Sequence, residues 1–317
     1  MLDVLTIGES MVVFTPTMNG AMRYAHQFNR SFAGAESNVA IGLTRLGHSV
    51  GWISKVGNDE LGSALLSFIR GEGVDTSQVQ RSQSHATGLI FKEIRHADDV
   101  RIQYYRQFSA ATMMHPDMLD ERIFASAKFL HVTGITAGIS ETAFNTIMAA
   151  IEIGKRHGVK IVFDPNIRNY FIHTPKYIER LQQILQHTDI WIPNQAEATS
   201  ILGVEDIEEQ AKMALSMGIQ TVIIKSSDSD TFYFTANEQG RVPRFSVKAV
   251  DSVGAGDAFA AGTISGFLDQ LLLQDIVIRA NAMGAFAVTA IGDITNLPDK
   301  QELAHFVQQE KSDNVLR

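Results

Sequence analysis

The chain has 317 residues, 45% hydrophobic and 20% charged, with a formal net charge of −8 and no cysteine. That balance suits one large α/β domain with a small appendage, or two modest domains. The acidic charge argues against a nucleic-acid partner, the lack of cysteine excludes disulfides and thiol chemistry, and no apolar run approaches the roughly 18 residues of a membrane span.

Residues 2–8 read as a buried strand rather than a signal peptide, which leads us to expect a soluble, cytoplasmic protein. Residues 10–31 and 86–108 then read as short strands without intervening helices, including a hairpin of 87–95 and 101–108 joined by His96-Ala97-Asp98-Asp99. This set predicts a small β-sheet that covers a cleft, or an edge or dimer pair, because exposed edges need partners. Strands and helices alternate afterwards, which predicts a mostly parallel central sheet with helices on both faces. Residues 128–133 form a predicted strand, and 140–157 an amphipathic helix with Ser140 as N-cap. Further strands end at Asp164, at Pro193-Asn194 and at Lys225. Polar residues thus recur past the carboxyl ends of strands, the edge where open α/β sheets bind ligands. His131 reads as a hydrogen-bonded core histidine, and the 11 scattered methionines as core filler.

The most informative stretch comes late. Asp251 and Asp257 stand six residues apart around Gly254-Ala255-Gly256, and an apolar, small-residue helix follows from Ala258. A bare turn entering a helix leaves its first amides unpaired, a place for phosphate or developing negative charge, though glycines also serve ordinary turns. Asp257 is placed to take a proton from a hydroxyl beside that anion, and a base with an anion hole suits phosphoryl transfer to an alcohol. The helix N-terminus is expected to keep Asp257 ionised at neutral pH. A dinucleotide fingerprint fails because Phe259 stands where its third glycine belongs, and no Walker-type loop occurs anywhere.

With these residues in view, the chain resembles the ribokinase-like (PfkB) carbohydrate kinases over nearly its full length. The resemblance rests on residues 251–257, on Gly34-Ala35-Glu36-Ser37-Asn38 followed by Gly47 and Gly57-Asn58-Asp59-Glu60, and on Asn194-Gln195-Ala196-Glu197. Within the family it is most similar to the 2-keto-3-deoxygluconate kinases, through Gly8-Glu9-Ser10-Met11, Tyr104-Tyr105-Arg106, Thr133-Gly134-Ile135-Thr136 and Asp164-Pro165-Asn166-Ile167-Arg168. The resemblance implies a ribokinase-like α/β fold, a single domain over 1–317 with a β lid from about 10–31 and 86–108. It also implies ATP and Mg²⁺, with K⁺ as a further cation.

Residue by residue, the resemblance makes Asp257 the base and the amides of Gly254, Ala255 and Gly256 the anion hole. Asn194 and Glu197 would organise Mg²⁺ and phosphate through water, and Lys225, Ser226, Ser227 and Asn281 would lie near the nucleotide. Asp251 matches a residue near a monovalent-cation site, with an N-cap as its alternative reading. The chain departs from the family in reading Lys225-Ser226-Ser227-Asp228-Ser229-Asp230 where two glycines are usual, so the serine hydroxyls would substitute as polar partners. A second departure is Asn169-Tyr170-Phe171 after Arg168.

A 2-keto sugar acid carries a carboxylate, which a guanidinium fork matches; Arg168 and Arg106 are the candidates, against surface ion pairs. Gly34, Ala35 and Asn38 at a helix start, Tyr104 from the lid and Asp293 after Gly292 complete the expected substrate wall. Glu36 reads as a first-turn charge complementing the helix dipole. The expected function is ATP-dependent phosphorylation of 2-keto-3-deoxygluconate at its terminal 6-hydroxyl. Fructokinase or a related sugar-acid kinase is the alternative, and a non-catalytic sugar-phosphate-binding relative is the alternative of another class. A homodimer through the lid sheet is expected.

Overall fold

The computed structural model describes residues 2–96, 99–174, 176–226 and 230–315. Among these, thirteen strands form two sheets: β1 Val4–Ile7, β2 Met11–Pro16, β3 Phe28–Ala33, β4 Val50–Gly57, β5 Val79–Ser82, β6 Leu89–His96, β7 Asp99–Tyr105, β8 Phe129–Thr133, β9 Lys160–Asp164, β10 Ile190–Trp191, β11 Thr221–Lys225, β12 Asp230–Phe234 and β13 Gln239–Pro243. The larger sheet has the order β13-β12-β11-β10-β9-β8-β1-β4-β5. It is parallel from β11 through β5 and closes on its other side with the antiparallel β12 and β13.

Helices cover both faces because the parallel strands are apolar on both: β1 and β8 are buried throughout. One core cluster holds Trp52, Val39 and Ile264, and the other holds Trp191, Phe163 and Ile147. Truncating either fully buried tryptophan to alanine is expected to cost about 3–5 kcal/mol. The helix Glu141–Arg156 starts where its sequence predicts, with the Ser140 hydroxyl accepting from the Ala143 amide at 3.0 Å. Among the described residues, no helix is long and apolar enough to cross a membrane.

The smaller sheet has the order β3-β2-β6-β7 and is built from the two stretches that interrupt the alternation. Period-two alternation splits its residues. Met11, Val13 and Ile90 pack with Tyr104 as one cluster, and the rings of Phe14, Phe28 and Tyr105 gather around Phe91 at 5.5–5.9 Å between centroids.

The helix Ala255–Leu268 lies between Ala35–Arg45 and Leu273–Ala287. Its small residues permit that closeness: a Cβ on Gly262 would sit 2.8 Å from Ala280 Cα. This packing carries the helix N-terminus to the carboxyl ends of the central strands.

Candidate active site

Asp257 sits in the first turn of Ala255–Leu268 and is buried, 5% exposed. Two amide side chains hold its carboxylate. Asn38 Nδ2 donates to Oδ2 at 2.8 Å, and Asn166 Nδ2 donates to Oδ1 at 3.1 Å. Asn38 comes from the early helix Ala35–Arg45, and Asn166 from just past β9, where its left-handed φ of 42° turns the chain. The same Asn38 nitrogen reaches Asp293 Oδ2 at 3.2 Å.

Gly254, the N-cap of that helix, has φ 82°, and a Cβ there would meet the Asp293 carbonyl at 2.3 Å. Glycine is required on both counts. Among the described residues, no protein acceptor bonds the amides of residues 254–257, so they point outward as the bare turn predicts.

Two cavities meet at this turn. One, of about 780 Å³, is lined by Asp164, Asn166, Arg168, Asn194, Glu197, Lys225, Ser226, Arg244 and Gly256, among others. The other, of about 160 Å³, lies under the smaller sheet and is lined by Gly34, Ala35, Asn38, Tyr104, Arg106 and Asp293, together with Glu9, Met11 and Lys92. Arg168, Val253, Gly254 and Asp257 line both. A buried carboxylate and an unpaired amide turn therefore form the boundary between a larger polar chamber and a smaller one, a layout suited to passing a group between two ligands.

The pfkB family carbohydrate kinase model matches residues 1–300. The chain belongs to the pfkB family of carbohydrate kinases. It is similar to the 2-dehydro-3-deoxygluconokinase of Bacillus subtilis, at 37% identity over 98% of this chain and 97% of that one. It is also 30% identical to fructokinase-1 of Zea mays, over 96% and 98% of the two chains. Among solved structures, the 2-dehydro-3-deoxygluconokinase of Thermotoga maritima superimposes with a TM-score of 0.88 at 25% identity, covering 97% of this chain and 100% of that one. A ribokinase II of E. coli in complex with ATP and Mg²⁺ superimposes with a TM-score of 0.91 at 29% identity, over 98% and 100% of the chains. The fold is ribokinase-like, and the enzyme is a phosphotransferase acting on a sugar hydroxyl.

Several expectations for this sugar kinase need correction. Asp257 is not held ionised by its helix: burial raises its pKa to about 8, Asp164 and Asp293 add to the rise, and the Asn38 hydrogen bond opposes it. Arg106 does not present a free fork. Its Nη2 pairs with Glu9 Oε2 at 2.5 Å, and both side chains are buried. Ser109 donates to the other Glu9 oxygen at 2.5 Å. Glu197 forms a capping box with Asn194, and its oxygens accept the amides of Ile167 at 2.9 Å and Asn194 at 2.8 Å, so its first task is to fix the backbone.

Asn281 does not line the larger cavity; it accepts from Thr231 at 2.8 Å and donates to the Pro243 carbonyl at 3.3 Å, pinning β12 and β13 to its helix. Asp251 faces no open cation site, because Lys92 Nζ stands 3.2 Å from its Oδ2. His131 lies in the core, but its ring nitrogens have no hydrogen-bond partner among the described residues, and burial lowers its pKa to about 3. Glu36 is buried beneath the helix start rather than serving as a surface charge, and it accepts from Thr133 and Thr136 at 2.6 Å each. Ser227 lies outside the described residues.

Arg168, Tyr104 and Lys225 line the cavities. Arg168 is exposed to the cleft and, among the described residues, its guanidinium carries no ion pair or hydrogen bond. Tyr104 lines the smaller cavity and packs 5.3 Å from the Tyr170 ring. Lys225 reaches Asp164 Oδ1 at 3.7 Å. Sequence reading missed Asp164, Asn166, Glu9 and Lys92. The first two stand at the same strand end as Arg168, a position that marked them; nothing in the local sequence signals that Lys92 faces the cavity.

Proposed function

We propose that this kinase transfers the γ-phosphoryl group of ATP to the terminal 6-hydroxyl of 2-keto-3-deoxygluconate, with Asp257 as general base. The observation that carries the choice of a sugar acid is Arg168, whose guanidinium has no hydrogen-bond or ion-pair partner among the described residues and lies on the wall shared by both cavities. An unpaired fork at a ligand site suits a carboxylate, as bidentate pairing gives both charge and orientation.

The larger cavity fits a nucleotide with Mg²⁺. Asp164 and Glu197 are two buried carboxylates whose pKa values burial raises, and Asp164 raises Glu197 further. Such a pair without a full cage of ligands suits Mg²⁺ bound through water and phosphate oxygens. Lys225 and Arg244 supply cations on the same wall, beside Asn194 and Ser226. When bound, ATP with Mg²⁺ supplies the activated phosphoryl group.

The amides of residues 254–256 then take the charge that develops on the transferring group. Asn38 and Asn166 fix the Asp257 carboxylate, which receives the hydroxyl proton late, as the new oxygen–phosphorus bond forms. A pKa near 8 makes Asp257 a stronger base than an ordinary aspartate. The smaller sheet acts as a lid that keeps water from this transfer. Its outer rings, Phe28 and Tyr105 at 36% and 59% exposed, support a homodimer through that face.

Fructose is the second reading, favoured by the pairing of Arg106 with Glu9, which leaves Arg168 as the unpaired one of the two candidates among the described residues. An ADP-release assay with ATP, Mg²⁺ and either 2-keto-3-deoxygluconate or fructose decides between them. A higher kcat/KM for the acid supports our reading, and a higher value for fructose overturns it.

A further inference from the structure

We propose that the Lys92 ammonium stands beside the phosphoryl-transfer turn in place of a monovalent cation, making this kinase independent of K⁺. The family resemblance assigns such a cation to Asp251, but the carboxylate is already committed. Its Oδ2 faces Lys92 Nζ at 3.2 Å and the Gly292 amide at 3.4 Å, and its Oδ1 accepts the Val253 amide at 3.1 Å. The two side chains are 22% and 14% exposed, so the pair is shielded from screening by bulk salt. A monovalent ion docked on Oδ2 would meet a like charge at contact range.

Lys92 is an unexpected residue where it stands. It lies on β6, and its neighbours on the cavity side of the smaller sheet, Met11, Val13, Ile90 and Ile102, are apolar. An ammonium on such a face carries a desolvation cost that a specific partner must offset. That partner lies across the cleft, in the segment that leads directly into Gly254. Asp251 thereby joins three pieces: the smaller sheet through Lys92, the anion turn through Val253, and the Asp293 segment through Gly292. A diffusible cation would bind the turn whether or not the sheet had closed. A tethered one arrives only with the sheet, so the charge and the cover come together. Lys92 is a positioning residue in this account, acting on the turn through Asp251.

This inference rests on residues 251–257 being the phosphoryl-transfer turn, and melting experiments test it without turnover. Wild-type protein and variants are melted in KCl, NH₄Cl or tetramethylammonium chloride at an ionic strength of about 0.1 M. ADP release is measured in the same salts with whichever sugar the enzyme accepts. The wild type should show the same Tm and turnover in all three. Lys92→Ala should lose roughly tenfold in turnover in tetramethylammonium, the worth of one charge-assisted contact, and regain Tm and turnover in KCl or NH₄Cl. Lys92→Arg should behave as the wild type. Should Lys92→Ala not fold, Lys92→Gln replaces it in the same melts. Activation of the wild type by K⁺ of several-fold, a K⁺-dependent rise in its Tm, or an alanine or glutamine variant indifferent to K⁺ and NH₄⁺ would each overturn the proposal.

Discussion

Asp251 and Asp257 lie six residues apart at opposite ends of one turn, yet their surroundings differ in kind. At Asp257, burial dominates, the partners are neutral amides, and the pKa climbs to about 8. At Asp251, burial also works to raise the pKa, but the Val253 amide and the Lys92 charge outweigh it, and the carboxylate sits below the usual range. One aspartate thus holds a proton up to about pH 8 and the other is fixed as an anion. Chemical identity does not separate the protonated aspartate from the anionic one here; partner type does.

Exchanging each carboxylate for its amide is the most direct way to break that contrast. Asp257→Asn should lower kcat by about 10³-fold while leaving nucleotide binding, followed by titration with a fluorescent ATP analogue, nearly unchanged. Asp251→Asn should lower it by roughly tenfold, the value of a charge-assisted contact. Equal losses in the two variants would mean that the aspartates share one role.

Arg168→Ala sharpens the picture on the substrate side. KM for a sugar acid should rise about 10- to 100-fold and that for a neutral sugar much less, since one charged pairing is lost only for the acid. A smaller effect is expected at Gly254→Ala, where the backbone conformation alone costs about 1–3 kcal/mol and the Asp293 carbonyl blocks the new methyl, visible as a lower Tm.

The subtlest test uses pH. Between the ordinary aspartate value of 3.8 and about 8, the folded chain keeps a proton on Asp257 that the unfolded chain releases. The contribution of this group to stability therefore falls as pH rises through that window. Asp257→Asn should melt higher than the wild type, and the gap should widen from about pH 5 to about pH 8. A constant gap would place the Asp257 pKa in the normal range. The same proton makes kcat/KM of the wild type rise with pH toward a plateau above about 8.

Local rules made much of this legible in advance. The alternating pattern gave the central sheet, Ser140 its cap, and the Gly254 turn its unpaired amides, because each depends on neighbours in sequence. What stayed hidden depends on neighbours in space. No local signal tells that Glu9 meets Arg106, that Lys92 meets Asp251, or that Asn281 turns toward β13 instead of the larger cavity. The ionisation of Asp257 is hidden for the same reason. Helix position favours the anion, but the depth of burial, set by helices from distant parts of the chain, decides the outcome.

The hydrogen bond from Asn38 to Asp257 spans 219 residues, and its reach has a consequence for biosynthesis. During translation the early amide must wait for most of the polypeptide before its carboxylate partner leaves the ribosome. Fragments ending before the helix Ala255–Leu268 would hold the strands and much of the cavity wall without Asp257. With Asp257 as the proposed base, turnover becomes a late reporter of maturation, and a trace of it in a nascent-chain preparation would register completed molecules rather than intermediates.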